Sequence, residues 1–272
     1  MIDKSENKNG YPQPNAQLKF PKINVAFDFD EAAKKPFKRS SGQALLENFN
    51  ARKFSSNRLL ASLNAADFSR LQPYLKPVLL SFGEILCEPQ DRVRYVYFPE
   101  SAVVSNLQML EDGRTIETAM TGREGVTGLA SIFNSQPASD WTEVSVAGSA
   151  LRLNAQILKQ EFYCCGTLQA SLFKYLGSYI EQISQRVICN NYHLMEKRFC
   201  SWLSMLQNRH HKDKFFLTHE QIARYLGVQR PLISNLARRL REARIIDYRR
   251  KEIIILDSPK LQSLACPCFH AI

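Results

Sequence analysis

Between Leu217 and Ile246 the chain reads LTHEQIARYLGVQRPLISNLARRLREARII, and the spacing describes two helices meeting at a tight turn. Thr218 followed by Gln221 makes a capping box: the hydroxyl accepts from the amide three residues on while the Gln side chain reaches back, so a helix starts there. Ile222, Ala223 and Leu226 supply its inner face. Gly227 stands where the helix must end and reverse, at a position favouring left-handed backbone angles that only glycine adopts without strain. Pro231 then falls in the first turn of the next helix, where its missing N–H leaves no bond unmade. Ile233, Leu236, Ala237 and Leu240 recur at helical spacing, which leaves Arg230, Ser234, Asn235, Arg238 and Arg239 outside. Small Ala223 permits a close crossing. The pattern is a helix-turn-helix, and an ordinary surface hairpin with a solvated basic face would not require capping, turn and core spacing to agree.

The next segment extends the motif. Ile245-Ile246-Asp247-Tyr248 and Ile253-Ile254-Ile255-Leu256 read as two β-branched strands joined by Arg249-Arg250-Lys251-Glu252, a wing with a basic tip suited to phosphates. From about Phe54 to Leu256 the chain resembles the Crp/Fnr family of bacterial transcription regulators. That resemblance implies an α+β fold: an N-terminal β-roll (jelly-roll) sensor domain, a long dimerisation helix and a C-terminal winged helix-turn-helix. It divides the chain into an arm (1–53), a cyclic-nucleotide-binding-like sensor (54–163), a dimerisation helix (164–190), a DNA-binding domain (191–257) and a tail (258–272). It also implies a homodimer on inverted-repeat double-stranded DNA, with RNA polymerase as a candidate further partner. Gln229, Arg230, Ser234 and Asn235 are the expected base readers. Thr218, Arg238, Arg239, Arg249, Arg250 and Lys251 are the expected phosphate contacts. Arg230 aligns with a base-reading arginine of the family, but Pro231 stands where a glutamate often reads a base and Asn235 where a second arginine often does, which puts the usual family operator in doubt.

Charge distribution agrees with this division. The 272 residues carry a formal net charge of +10, enough chain for two compact domains. Residues 218–251 hold nine Lys and Arg against three Asp and Glu, whereas 54–160 hold nine against eleven. Positive charge is concentrated on the proposed reader, as expected where cations displace counterions from a phosphate backbone. No apolar run approaches the roughly 20 residues needed to span a bilayer, and the N-terminus lacks a signal-peptide core, so a cytoplasmic location is expected. Residues 1–53, polar and interrupted by Pro12, Pro14, Pro21 and Pro36, read as a disordered arm whose Lys34, Lys35, Lys38 and Arg39 are most simply solvated.

Globular sequence begins at Phe54 with a helical stretch carrying Leu59, Leu60, Leu63, Phe68, Leu71 and Leu75, ended by Pro73 and Pro77. Short strands follow at Val78–Phe82, Tyr95–Phe98, Val103–Leu107, Thr115–Met120, Val144–Val146 and Leu151–Leu153, separated by turn residues, a β-roll pattern. In cyclic-nucleotide-binding relatives a Gly-Glu pair opens a short helix and an arginine some ten residues later neutralises the phosphate. Here the equivalent stretch is Gly128-Leu129-Ala130-Ser131-Ile132-Phe133, with leucine in the glutamate position and no Lys or Arg between Arg123 and Arg152. The β-roll is expected without the standard ligand, and cAMP is not the expected effector. Arg123 reads as a turn residue.

From Thr167 to Asn190, Leu168, Leu172, Leu176, Tyr179, Ile183 and Val187 are spaced four, four, three, four and four, an approximate coiled-coil seam and the expected dimer contact. A further helix from Tyr192 to Gln207 opens the DNA-binding domain, and His210-His211-Lys212-Asp213-Lys214 reads as a polar, solvated link. The seven cysteines form no disulfide framework. The arm has none, so an iron-sulfur cluster lacks its ligands; haem attachment would need Cys-x-x-Cys-His, which is absent. Cys164 and Cys165 read as buried packing, and Cys266-Pro267-Cys268 as half a zinc site without a second pair. No metal or cofactor is therefore expected. No catalytic constellation emerges either, leaving a dimeric protein-interaction module as the alternative from another class.

Overall fold

The computed structural model describes residues 55–129, 133, 136–249 and 251–271. The arm, with its Lys34–Arg39 cluster, lies outside them. So do Arg250 and most of the helix expected after Gly128. The first helical stretch divides into α1 (Arg58–Ala61) and α2 (Ala65–Leu71), each opened by an asparagine: Asn57 accepts from the Leu60 amide and Asn64 from the Asp67 amide. Those two side chains compete with continuous helix, which explains the break.

Among the described residues seven strands follow: β1 (Lys76–Leu80), β2 (Ile85–Cys87), β3 (Tyr95–Pro99), β4 (Val103–Met109), β5 (Thr115–Thr121), β6 (Trp141–Val146) and β7 (Gly148–Asn154). They form two antiparallel sheets, in the orders β1-β7-β3 and β2-β6-β4-β5. A short α3 (Ala155–Phe162) leads to the 26-residue α4 (Thr167–Tyr192), then α5 (Met195–His210). Beyond it come β8 (Lys214–Phe216), α6 (His219–Leu226), α7 (Arg230–Glu242), β9 (Ile246–Arg249), β10 (Glu252–Ile255) and α8 (Ser258–Leu264), closed by a 3-10 turn at Pro267–Ala271. The architecture is α+β, with an N-terminal sheet region, long helices and a C-terminal helix-turn-helix.

Packing departs from two separate cores. One cluster joins α1, α2, β3, β7 and the start of α4 through Leu60, Leu71, Phe98, Leu151, Leu168 and Leu172. Another runs from Val103, Leu107 and Met120 on the second sheet straight into α5, α6 and α7. The C-terminal helices therefore bury part of their apolar surface on strands β4 and β5. Of the segment 258–272, expected as a tail, residues 258–271 are built in: α8 packs on α5, the 3-10 turn packs on α4 and α5, and Leu261, Cys266 and Phe269 are buried. His210, expected in a solvated link, is the last residue of α5, buried, with Nδ1 2.6 Å from the Ser101 carbonyl. His211 beyond it, in the left-handed region, is exposed, as are Lys212, Asp213 and Lys214.

Candidate nucleic-acid interface

The capping box at Thr218 is formed in both directions: the Gln221 amide donates to Thr218 Oγ1 at 3.2 Å, and the Thr218 amide donates to Gln221 Oε1 at 2.7 Å. Thr218 was expected on phosphate, but its half-buried hydroxyl is already engaged in the cap. Gly227 ends α6 in the left-handed region (φ 67°, ψ 37°), and the Val228 amide returns to the Ala223 carbonyl at 2.9 Å. A side chain at Gly227 would be strained and would come within 3.2 Å of Ile116 on β5, so the turn fits closely against the sheet region.

Helix α7 starts at Arg230 with Pro231 in its first turn and no side-chain cap from Gln229. Ile233, Leu236, Ala237 and Leu240 are buried, while Gln229, Arg230, Asn235, Arg238 and Arg239 are exposed. Ser234 is half-buried, its Oγ 3.0 Å from His219 Nδ1. The His219 ring stacks on Tyr248 with centroids 4.1 Å apart, so one histidine links α6, the exposed helix and the wing. Burial first, and the charge of Arg230 second, lower the His219 pKa and favour the neutral ring. Arg239 reaches Glu196 of α5 at 3.2 Å and Arg238 reaches Glu242 at 3.1 Å. Both guanidiniums remain mostly exposed, but a phosphate would have to compete for them. On the wing β9 pairs with β10, which β8 extends to a third strand. Exposed Arg249 lies 2.8 Å from Asp247, and Lys251 takes the left-handed turn position (φ 72°).

Two buried carboxylates seat these helices on the sheets. Glu143 of β6 receives Arg224 and the Tyr225 hydroxyl, the latter at 2.9 Å. Glu117 of β5 accepts from Ser105 at 2.6 Å and Trp202 Nε1 at 3.0 Å and pairs with Arg186 of α4. Burial raises the Glu117 pKa, with Arg186 opposing it. The sequence reading missed both because their partners lie some 70 to 85 positions away.

On α4 the expected seam mixes two faces. Leu168 and Leu172 are buried against their own chain, with Tyr179 half-buried, and so Leu168 and Leu172 cannot meet a partner. Val187 and Ile183 are exposed and Leu176 half-buried; Phe173 and Ile180, absent from the expected set, are exposed beside them. Repeats of four advance about 40° per step around a 3.6-residue helix, so the predicted stripe slid from one face to the other. Between β5 and β6 Leu129 is buried in the core and Arg123 occupies a turn, its carbonyl accepting from the Arg58 amide at 2.6 Å.

The cysteines bring a second correction. Cys164 and Cys165, expected as buried packing, are exposed. Cys266 and Cys268 do acquire a second pair: Cys189 in the last turn of α4 and His193 at its C-cap, with all four ligand atoms within 4.8 Å of one another. An α-helical turn and a segment over 70 residues later meet only in the fold, and the Cys-x3-His spacing of 189 and 193 was the available signal.

Comparison with known proteins bears on the whole arrangement. Residues 197–264 match the Crp-like helix-turn-helix domain, a match running from α5 through α8. No curated protein matches the chain. Among solved structures, a protein from Eubacterium rectale described as a transcriptional regulator of the Crp/Fnr family superposes with a TM-score of 0.58 at 20% identity, covering 74% of this chain and 94% of that one. FixK2 from Bradyrhizobium japonicum gives 0.58 at 15% identity, covering 71% and 98%. The c-di-GMP responsive global regulator CLP from Xanthomonas campestris gives 0.57 at 14%, covering 71% and 99%. These likenesses are of fold: residues 197–264 match a Crp-like helix-turn-helix domain, and the chain is similar in fold to regulators of the Crp/Fnr family.

Proposed function

We propose that the protein binds an inverted-repeat operator as a homodimer, reading bases with Gln229, Arg230 and Asn235 and phosphates with Arg238, Arg249, Arg250 and Lys251. The observation that carries the reading is the face of α7 turned away from its buried Ile233–Leu240 stripe, which exposes Arg230 and Asn235 at its start. Ser234 acts through His219 and Arg239 through Glu196, as positioning contacts. The dimer forms through the outward stripe Phe173, Leu176, Ile180, Ile183 and Val187, spaced three, four, three and four. That places half-sites about 34 Å apart. The two sheets act as a β-roll sensor comprising 54–163, and the DNA-binding domain extends beyond 257 to include α8 and the 3-10 turn.

Selection of genomic fragments with the purified protein yields the operator, and titration of variants at several salt concentrations tests the assignment. Arg230→Ala should cost about 1–3 kcal/mol on the cognate site and far less on random DNA. Arg249→Ala should weaken both alike and reduce the salt slope by about one. Equal losses for Arg230→Ala on both DNAs would remove it from base reading. The sensor does not take cAMP or cGMP tightly, because a buried phosphate without a paired cation is costly and Leu129 offers no ribose acceptor. Calorimetric titration should show no low-micromolar binding of either nucleotide; such binding, lost on mutating Arg123, would restore the cassette.

A further inference from the structure

The joint between α4 and α5 holds a cluster that the DNA-binding reading leaves unused. Cys189 is buried in the last turn of α4, and His193 caps that helix with extended angles (φ −104°, ψ 139°). Cys266, fully buried, and half-buried Cys268 flank Pro267 just after α8. Cys189 Sγ lies 3.4 Å from Cys266 Sγ, and Cys268 Sγ lies 3.5 Å from His193 Nδ1.

These spacings lie near the edges of a tetrahedron around one ion, the sulfur–nitrogen one agreeing and the sulfur–sulfur one falling somewhat short. With Zn–S near 2.3 Å and Zn–N near 2.0–2.1 Å, tetrahedral geometry puts sulfurs about 3.8 Å apart and sulfur about 3.5 Å from nitrogen. An iron-sulfur cluster needs its thiolates spread around several metal atoms, whereas these four atoms enclose space for one. A disulfide would join two sulfurs at about 2.05 Å and would leave Cys268 and His193 converging for no purpose. Three soft sulfurs and an imidazole suit zinc rather than magnesium or calcium.

The surroundings also suit the ion. Ser201 of α5 holds Cys266 on three sides: its Oγ accepts from the Cys266 amide at 3.0 Å, lies 3.2 Å from the Cys266 carbonyl and 2.9 Å from its sulfur. Outer contacts of this kind fix the aim of a metal ligand. Three thiolates, one neutral imidazole and a divalent cation sum to a single negative charge, and the Arg186 and Arg198 guanidiniums stand close enough for their charges to act on Cys189.

We propose that Cys189, His193, Cys266 and Cys268 bind one zinc-class divalent cation in a closed Cys3His site that locks the C-terminal segment to the α4–α5 joint. Binding converts three thiols to thiolates and releases three protons to solvent, with no change of oxidation state. The two ligand pairs bracket residues 194–265, the whole winged helix, so the ion closes a ring around the DNA-binding domain and anchors it to the end of α4. A site with four protein ligands has no open position for substrate, so its role is structural. Its binding free energy becomes stability of that domain's seat.

Elemental analysis of the full chain, expressed without a polyhistidine tag in zinc-supplemented medium and desalted, should find one zinc per chain. Replacement by Co(II) should give intense tetrahedral visible bands and a sulfur-to-cobalt charge-transfer band. Cys268→Ser should lose the metal, while Cys164→Ser and Cys165→Ser should keep it. His193→Cys should also keep it, with the cobalt bands shifted as a fourth sulfur replaces nitrogen. The wild-type cobalt spectrum reports sulfur ligation even if a variant does not fold. Metal-free wild type that takes up neither zinc nor cobalt would overturn the proposal. So would a Cys189–Cys266 disulfide found by mass spectrometry after alkylation, or stoichiometric zinc retained when both His193 and Cys268 are replaced.

Discussion

Helix α4 presents two apolar stripes about a quarter to a third of a turn apart, and their surroundings differ. The inward stripe, Leu168, Leu172, Tyr175, Tyr179, Gln182, Arg186 and Cys189, packs against its own sheets and helices and mixes polar groups among apolar ones. The outward stripe is purely apolar at Phe173, Leu176, Ile180, Ile183 and Val187, with exposures of 57% at Phe173, 56% at Ile180 and 58% at Val187. Polarity is tolerated where a fixed neighbour satisfies it: the Tyr175 hydroxyl meets Thr121 at 3.0 Å, and Gln182 meets the Met120 backbone. A face that presents only hydrocarbon at heptad spacing has the composition of a seam between copies.

The largest expected effect tests the outward stripe. Ile180→Glu puts a carboxylate from each protomer into the proposed seam, where an unpaired buried ion costs several kcal/mol, so sedimentation should show monomers that keep native circular dichroism. Dimers that persist in the Ile180→Glu, Ile183→Glu double variant would move the interface elsewhere. Next in size is Leu172→Ala on the inward stripe, a fully buried position in the first core. It should lower unfolding stability by about 2–5 kcal/mol in chemical denaturation without changing the dimer's mass. A monomeric Leu172→Ala protein with full stability would reverse the assignment of the two faces.

Gln182 sharpens the comparison further. Strand β5 is an edge of its sheet, and Gln182 serves it as a neighbouring strand would: its Oε1 accepts from the Met120 amide at 2.8 Å and its Nε2 donates to the Met120 carbonyl at 3.2 Å. Gln182→Ala strands two buried backbone groups and should cost about 1–3 kcal/mol. Gln182→Glu retains an acceptor but loses the donor, and stability equal to wild type would show that water or another group completes β5.

What the sequence revealed followed from range. The helix-turn-helix was legible because Thr218, Gln221, Gly227, Pro231 and Ile233 act on neighbours within a few positions, and the wing because Ile246 and Ile253–Ile255 are β-branched. Strand β2 escaped because three residues, Ile85–Cys87, are too few to show alternation, and β8 because Lys214–Phe216 gains its identity only by pairing with β10. The α4 stripe was found but out of phase, since the inward Gln182 and Arg186 look polar until Met120 and Glu117 are placed against them. Glu143, Glu117 and the Cys3His cluster depend on contacts between distant segments, which no local pattern encodes. The base-reading candidates Arg230 and Asn235 were exposed as expected, whereas Thr218, Ser234 and Arg239 proved to have partners within the chain.

The smallest effect lies where α4 begins. Gly166 provides no side-chain cap there, and Asp67 of α2 takes over: its Oδ2 accepts from Thr167 Oγ1 at 2.6 Å and from the Leu168 amide at 3.2 Å. A side chain at 166 would run into that carboxylate, approaching its oxygen to 2.4 Å, so glycine is what lets an acid from another helix reach the α4 terminus. The hydrogen bond from Thr167, the largest influence, together with those from Leu168 and Arg70, holds the Asp67 pKa below its usual 3.8 despite burial. A carboxylate depressed in the folded state contributes stability that is complete above its unfolded pKa and is lost as pH falls through the folded value. Asp67→Asn should therefore cost about 0.5–2 kcal/mol at neutral pH, the range of a lost cap. That difference should shrink once the pH drops below 3.8. Paired urea titrations of wild type and variant between neutral and acidic pH read it directly, because the other carboxylates cancel between the two proteins. A gap that stays constant on acidification would mean that the Asp67 charge adds nothing to the cap, and that the inward face of α4 is held by packing and by its contacts through Tyr175, Gln182 and Arg186.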